Sequence, residues 1–162
     1  MLRLLALLLC LSSAGLVSCA SSTVATKKGA RISSVRTTAY THSESDHIVY
    51  GKATAIGSDL KFGNVRSAAA DWSVYPVGTI FQIEGTPYIY QVDDYGSALV
   101  GTNTIDLYKP SKTEMNQWGV RNVNIRILRW GSFSKSLSIL KPRTHWGHVD
   151  KMADRIEKQK RM

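Results

Sequence analysis

Residues 88–108 read YIYQVDDYGSALVGTNTIDLY, and this stretch decides the fold. In its first seven residues, alternate positions place two tyrosines and Val92 on one face of a strand, with Asp94 on that same face. Its last five residues are rich in strand-forming side chains and place Asp106 between an isoleucine and a leucine. The stretch therefore predicts two short strands, each carrying a carboxylate, joined by a loop that contains two glycines.

Further short strands flank this stretch on both sides. Residues 35–41 are rich in β-branched and aromatic side chains, and residues 79–84 follow a Pro-Val-Gly turn. Residues 122–128 alternate cleanly between polar and apolar positions. Many short strands separated by turn residues indicate an all-β domain. They favour a small closed barrel over a sandwich, and the pattern alone leaves both open.

Two helices are predicted beyond these strands. Ser111 and Glu114 form a capping box, and Gly119 is placed to end the helix that the box begins. A second helix is expected over residues 149–160, where one thin apolar stripe faces a largely charged surface. We expect that segment to be a partly helical basic arm at the surface. Its stripe consists of Val149, Met152, Ala153 and Ile156.

The amino terminus has the order of features found in a bacterial secretory signal. Arg3 precedes a short apolar run, and small residues follow it. Residues 16–19 read LVSC, which resembles the lipobox of bacterial lipoproteins, where the cysteine receives lipid and becomes the first residue. We therefore expect lipid on Cys19 and a cell-envelope location, with the outer membrane, facing the periplasm, favoured. The alternative is ordinary cleavage after Ala20.

The formal net charge of +9 is concentrated in the flanks of the chain. Residues 35–131 contain nine basic and nine acidic side chains, whereas residues 132–162 contain eight basic and three acidic ones. A nucleic-acid-binding protein usually carries its basic residues on the folded face, so nucleic acid is not predicted as a partner. The basic flanks are expected to contact anionic lipid or anionic envelope polymer, and solubility alone is the alternative.

Three aspartates have the sequence context for chemistry: Asp71, Asp94 and Asp106. Asp106 lies between apolar neighbours in a strand, where a carboxylate is costly to bury unless it is hydrogen-bonded. Burial and a second nearby carboxylate both raise a carboxyl pKa, and a protonated carboxyl is what glycoside cleavage requires of a general acid. The alternative is structural, with each aspartate capping a turn or tying down a loop.

Motifs around these aspartates, in this order, resemble those of the 3D domain. They are AAD at residues 69–71, VDDYGSALVG at residues 92–101 and IDLY at residues 105–108. The 3D domain is named for its three aspartates and forms the catalytic end of the membrane-bound lytic transglycosylase A family. The resemblance implies a six-stranded double-psi β-barrel with a groove for a glycan strand. The chain then divides into a signal (1–18), a linker (19–34), the barrel (35–131) and a basic tail (132–162).

The resemblance also implies a function and a set of site residues. It implies cleavage of the bond between N-acetylmuramic acid and N-acetylglucosamine in peptidoglycan, with Asp106 as acid and then base and a 1,6-anhydro product. Asp94 would lie beside Asp106, with Asp71 as the third aspartate of the site. Trp72 and Tyr95, which adjoin motif aspartates, are candidates to stack on sugar rings, with core or rim packing as the alternative, and Gly96 is the third substrate-binding candidate. No cofactor or metal is implied, and the alternative function is a non-catalytic glycan-binding lipoprotein.

Overall fold

A closed barrel of six strands forms the centre of the molecule. The computed structural model describes residues 29–44 and 51–162, so the expected signal and the lipidation of Cys19 lie outside the described residues. Within the described ranges, no helix combines the length and apolar character needed to cross a membrane. The strands are β1 (Arg31–Tyr40), β2 (Val65–Ala70), β3 (Ile80–Ile83), β4 (Ile89–Asp94), β5 (Thr104–Tyr108) and β6 (Arg121–Arg129).

The strands follow the order β1, β5, β2, β4, β3, β6 around the barrel. The pairs β1–β5 and β2–β4 are parallel, and the other four pairs are antiparallel. This arrangement confirms the six-stranded double-psi β-barrel. Strand β2 was not anticipated by the pattern, because its sequence VRSAAA lacks the β-branched and aromatic alternation that signals a strand.

Apolar side chains from alternate strand positions fill the barrel interior. The alternation predicted for β6 is confirmed, since Ile125 and Ile127 are buried there. Each fully buried leucine, isoleucine or phenylalanine contributes about 1.5–3 kcal/mol relative to an exposed position. The buried strand residues are Val35, Ala68, Ala70, Phe81, Ile83, Tyr90, Val92, Ile105, Leu107, Ile125 and Ile127.

The predicted capping box begins the first helix, α1 (Lys112–Trp118). The Ser111 hydroxyl oxygen accepts a hydrogen bond from the backbone N–H of Glu114 at 3.2 Å. The Glu114 carboxylate in turn accepts a bond from that hydroxyl at 2.9 Å, where a capping box would have it accept from the backbone N–H. Gly119 ends the helix with a φ of 61°, a left-handed conformation that glycine adopts without strain.

The C-terminal segment forms two helices, α2 (Phe133–Leu140) and α3 (Gly147–Arg161). The second matches the predicted helix and buries the four residues of its predicted stripe. These four belong to the same core cluster as the barrel interior, so the expectation of a surface arm is wrong. The stripe contacts the turn at residues 71–75, where Trp72 donates its backbone N–H to the sulfur of Met152 at 3.4 Å, and α3 also packs against α2.

Candidate functional site

A β-bulge in β4 decides where the aspartates of that strand point. Ala68 pairs with Val92, but the next residue, Ala69, pairs with Asp94, so Asp93 is the extra residue. Because successive residues point to opposite faces of a strand, Ala69 and its partner Asp94 point away from the interior. The expectation that Asp94 shares the face of Val92 is therefore wrong, since a period of two does not anticipate an inserted residue.

The bulge brings two carboxylates to either side of one alanine. Ala69 pairs with Asp94 on β4 and with Asp106 on β5. Asp106 pairs in turn with Thr38 on β1, so four side chains form a row across four strands. Neighbouring strands lie about 4.8 Å apart, which puts the two aspartate Cα atoms roughly 10 Å apart. The small side chain of Ala69 leaves space between the two carboxyl groups.

Asp94 is nearly fully buried, and its pKa is raised. Its Oδ1 accepts hydrogen bonds from the backbone N–H groups of Ala55 at 3.1 Å and Tyr95 at 2.9 Å. Its Oδ2 accepts a bond from the Tyr40 hydroxyl at 3.3 Å. Burial raises the pKa of Asp94 to about 6 against the opposing effect of the backbone bonds, and the charge of Asp93 adds to the rise. Because two N–H donors occupy Oδ1, a proton on this group resides on Oδ2.

Asp106 is less buried than Asp94 and faces the same space. Its Oδ1 accepts a hydrogen bond of 2.7 Å from the Thr38 hydroxyl, its partner in the adjacent strand. Burial, followed by the charges of Asp94, Asp93 and Asp106, raises the pKa of Tyr40 well above its usual value. Tyr40 therefore stays protonated and serves as a hydrogen-bond donor beside both carboxyl groups.

The two carboxyl groups line a cavity of about 690 Å³, a volume within the usual range for ligand sites. Strands β1, β2, β4 and β5 contribute Tyr40, Ala69, Asp94 and Asp106, and two loops contribute residues 53–57 and 95–99 to the walls. The Ser97–Leu99 stretch of the second loop is a short 3₁₀ helix. The lining combines carboxyl, hydroxyl and aromatic groups, which suits a polar ligand with apolar faces, such as a sugar.

Two of the three predicted substrate-binding residues, Tyr95 and Gly96, line this cavity. Trp72 does not, because it is fully buried and cannot offer a ring face to a ligand. Its indole N–H donates to the backbone carbonyl of Asp94 at 2.8 Å, and its ring packs edge-on against Tyr95 at 4.9 Å between centroids. Trp72 therefore positions the cavity wall from behind, which corrects its assignment as a stacking residue.

Asp71 is fully buried and is not among the residues that line the cavity. Its Oδ1 accepts bonds from the backbone N–H and the hydroxyl of Ser73, at 2.8 Å and 2.6 Å. Its Oδ2 accepts bonds from the Gly101 N–H at 2.7 Å and from Arg155 at 3.1 Å. The structure therefore does not bring Asp71 to the other two aspartates, and its carboxylate ties the loop before β5 to helix α3.

The C-terminal segment supplies cavity residues that the sequence did not reveal. Arg143, Trp146 and His148 all line the cavity. Arg143 donates to the Ala55 carbonyl at 2.9 Å and contacts the Tyr95 hydroxyl at 3.3 Å, and so joins the two loop walls. No spacing rule connects these residues to the aspartates, because they meet only through the packing of α2 and α3 on the barrel.

Among residues 29–44 and 51–162, no group of three or more His, Cys, Asp or Glu side chains could hold a metal ion. Asp94 offers a carboxyl group with a pKa of about 6, which is partly protonated near neutral pH. Asp106 offers a second carboxyl group on β5, and only β2 lies between the two strands. Such a pair can donate and accept a proton at a bound ligand.

Fold and site together define a double-psi β-barrel with a carboxyl-lined cavity on its outer face. Residues 66–129 match the family model of the 3D domain, which confirms the resemblance predicted from the motifs. The matched segment begins in β2 and ends at the last residue of β6, and it includes the bulge and both cavity aspartates.

Two curated relatives are similar to this chain. The cell wall-binding protein YocH of Bacillus subtilis (strain 168) is 38% identical over 95 residues, which cover 58% of this chain and 31% of the relative. The putative cell wall shaping protein YabE of the same organism is 37% identical over 99 residues, which cover 60% of this chain and 23% of the relative. The chain thus spans less than a third of the length of either relative.

Proposed function

We propose that this chain acts on bacterial peptidoglycan as a lytic transglycosylase-like protein that cleaves the glycan strand in the cavity. The observation that carries the proposal is the pair of carboxyl groups on either side of Ala69, one of them with a pKa of about 6. The names of the two relatives, which refer to cell-wall binding and shaping, support the wall as the target.

The proposed reaction needs one proton carrier and no external nucleophile. Asp106 gives its proton to the oxygen between N-acetylmuramic acid and N-acetylglucosamine as the C1–O bond breaks and positive charge develops at C1. The resulting carboxylate takes the proton of the C6 hydroxyl of the same sugar. The C6 oxygen then bonds to C1, which gives the 1,6-anhydro product and returns Asp106 to its protonated form. Because the nucleophile belongs to the substrate, no second catalytic carboxylate has to activate water.

Asp106 is proposed as the proton carrier because it is the more exposed of the two carboxyl groups. Asp94 is the competing candidate, since its pKa of about 6 matches the requirement for a general acid near neutral pH. Burial, however, leaves Asp94 only 6% exposed, and its Oδ1 is occupied by two backbone N–H groups. We therefore propose that Asp94 is a partly protonated neighbour of Asp106 and that Asp106 is the group that reacts.

Digestion of purified peptidoglycan tests this proposal. The full chain should release muropeptides with 1,6-anhydro ends, detected by mass spectrometry. Asp106→Asn keeps the size of the side chain but cannot act as an acid, so release should fall by a factor of about 100 to 10,000. Asp94→Asn should reduce release less. Undiminished release by Asp106→Asn, together with loss in Asp94→Asn, would transfer the role of proton carrier to Asp94.

A second candidate function is glycan binding without cleavage. The name of one relative, a cell wall-binding protein, favours it. In that case no anhydro product forms with any variant, while the chain still sediments with purified peptidoglycan. The same incubation therefore separates the two functions, since it yields the soluble products and the pelleted protein in one experiment.

We also propose attachment of the chain to the cell envelope through lipid on Cys19. The support is the LVSC sequence at residues 16–19 behind a short apolar run. Exposed lysines on α3, among them Lys151 and Lys158, could add contacts to anionic polymer or lipid. The parent chain should partition into detergent, and Cys19→Ala should move it to the aqueous phase. Equal partitioning of both proteins would contradict the anchor.

A further inference from the structure

A row of alternating cations and aromatic rings runs along the barrel surface beside the cavity. The Arg66 guanidinium lies between two rings, 3.4 Å from the Tyr88 centroid and 4.1 Å from the Phe62 centroid. The Lys109 ammonium follows, 5.8 Å from the Phe62 centroid and 4.7 Å from that of Trp118. The cation–aromatic row, in order, is Tyr88, Arg66, Phe62, Lys109, Trp118 and Arg121.

The three cations of this row have no carboxylate partner among the described residues. None of them forms an ion pair within residues 29–44 and 51–162, although six other basic residues there do. Lys109 is only 6% exposed. Burial lowers the pKa of Lys109, the charges of Arg66 and Arg121 lower it further, and the charge of Glu114 opposes this. Three clustered cations held by ring faces are an arrangement that a bound anion would stabilise.

The cation–aromatic row is continuous with the cavity through a series of ring contacts. Tyr40, which donates to Asp94, lies 5.7 Å from Tyr108 between ring centroids. Tyr108 in turn lies 6.4 Å from Phe62, the ring between Arg66 and Lys109. Phe62 also packs against the small apolar cluster that contains Tyr40 and Ala69 of the cavity. The row therefore adjoins the cavity wall, with the buried ring of Tyr108 between Tyr40 and Phe62.

We propose that Arg66 and Lys109 form a carboxylate-binding subsite that recognises the peptide stems carried by the wall glycan. The choice of a peptide carboxylate rests on the proposed function, because the peptide is attached to the muramic acid sugar whose bond lies at Asp106. Arg66 presents a planar set of N–H donors and Lys109 three more, which match the two oxygens of a carboxylate. The aromatic faces between them suit the apolar part of a short peptide.

The test is an NMR titration of the full chain in detergent with a soluble wall stem peptide that carries no sugar. The peptide with free carboxylates should bind about tenfold more tightly than the same peptide with its carboxylates amidated. The double variant Arg66→Gln, Lys109→Gln should bind both peptides equally. Arg66→Gln alone should lose part of the preference for the free-carboxylate peptide. This single variant keeps the test informative if the double variant does not fold.

The matched control removes two exposed cations elsewhere, in Arg129→Gln with Lys135→Gln, and should keep the full preference for free carboxylates. The proposal is overturned if the parent chain does not distinguish the two peptides, if the double variant still does, or if inorganic phosphate competes as well as the free peptide. Binding of peptide-free glycan reports on the cavity separately. If the parent chain does not bind peptide-free glycan but still prefers the peptide with free carboxylates, the proposed function is contradicted and the subsite is retained.

Discussion

Asp71 and Asp94 are both buried aspartates near the ends of strands, yet their surroundings differ. Asp71 is met by two backbone N–H groups, a hydroxyl and the guanidinium of Arg155. Asp94 is met by two backbone N–H groups and a longer bond from Tyr40, and the acidic Asp93 adjoins it. Burial without a cationic partner raises the pKa of Asp94, whereas the carboxylate of Asp71 is paired with Arg155.

This difference gives the two aspartates different roles, one in the fold and one at the candidate site. The turn at Asp71 joins the barrel to α3, and α3 in turn supports the C-terminal wall of the cavity. The position of Asp94 costs stability when the group is ionised, and that cost is expected at a functional site. The same isosteric change at the two aspartates should therefore act in opposite directions.

The largest effect is expected at Asp71. Asp71→Asn replaces one carboxylate oxygen by an amide N–H₂ that faces N–H donors and removes the charge opposite Arg155. Hydrogen bonds to charged groups contribute about 1.5–3 kcal/mol each, and the partial exposure of Arg155 reduces its share, so we expect a loss of about 3 kcal/mol. Urea unfolding at pH 7 measures this loss. Arg129→Gln, at an exposed position without an ion pair among the described residues, is the control and should leave stability unchanged.

A smaller effect of opposite sign is expected at Asp94. The folded chain holds the proton with a pKa of about 6 against an ordinary value of 3.8, so ionisation destabilises the fold progressively as the pH rises between these values. Asp94→Asn removes this penalty, which for a shift of about two pKa units corresponds to about 3 kcal/mol. Because the amide fits the bond to Tyr40 less well, we expect a net gain of about 2 kcal/mol.

The pH dependence makes the Asp94 prediction specific. The gain in Asp94→Asn should be nearly complete above pH 6 and mostly lost at pH 4, where the carboxyl is protonated in the folded chain and about half protonated in the unfolded chain. Urea unfolding of both proteins at pH 8 and at pH 4 measures it. If Asp94→Asn and Asp71→Asn both destabilise the fold at pH 8, the contrast between the two aspartates is wrong.

The smallest effect is expected at the C-terminal wall. Trp146 is 57% exposed and lines the cavity, so its ring can stack on a sugar. Aromatic packing of this kind contributes about 0.5–1.5 kcal/mol, so Trp146→Ala should weaken glycan binding roughly three- to tenfold with little effect on stability. Trp130→Ala, also exposed but outside the cavity, is the matched control. Equal losses from both variants would remove the C-terminal wall from the site.

Much of the barrel could be predicted from local patterns. The strands around Asp94, Asp106 and Ile125 follow from alternation and turn residues, and the capping box at Ser111 begins α1 as expected. These signals are local, because they depend on spacing within one element. The sequence also singles out the two cavity aspartates, Asp106 by its apolar strand neighbours and Asp94 by its place in the motif VDDYG.

The features that the sequence did not reveal depend on contacts between distant elements. The bulge at Asp93 is defined only by the pairing of Ala69 with Asp94, and the burial of Trp72 only by the contacts of its indole with Asp94 and Tyr95. Asp71 lies in one of the three motifs that resemble the 3D domain, as the cavity aspartates do, and only its contact with Arg155, 84 residues further along the chain, distinguishes it from them. Sequence context thus located the acidic residues, while tertiary pairing divided them into two roles.

The most direct test of the account is an NMR titration of the full chain with peptide-free glycan strands from peptidoglycan. If the glycan binds in the cavity, the backbone N–H signals of Ala55, Tyr95 and Gly96 should shift together as the glycan is added. The backbone signals of Ser73 and Gly101, which surround Asp71, should stay in place. Shifts confined to the surroundings of Asp71, or no shift at the three cavity residues at saturation, would contradict the claim that this cavity binds the wall.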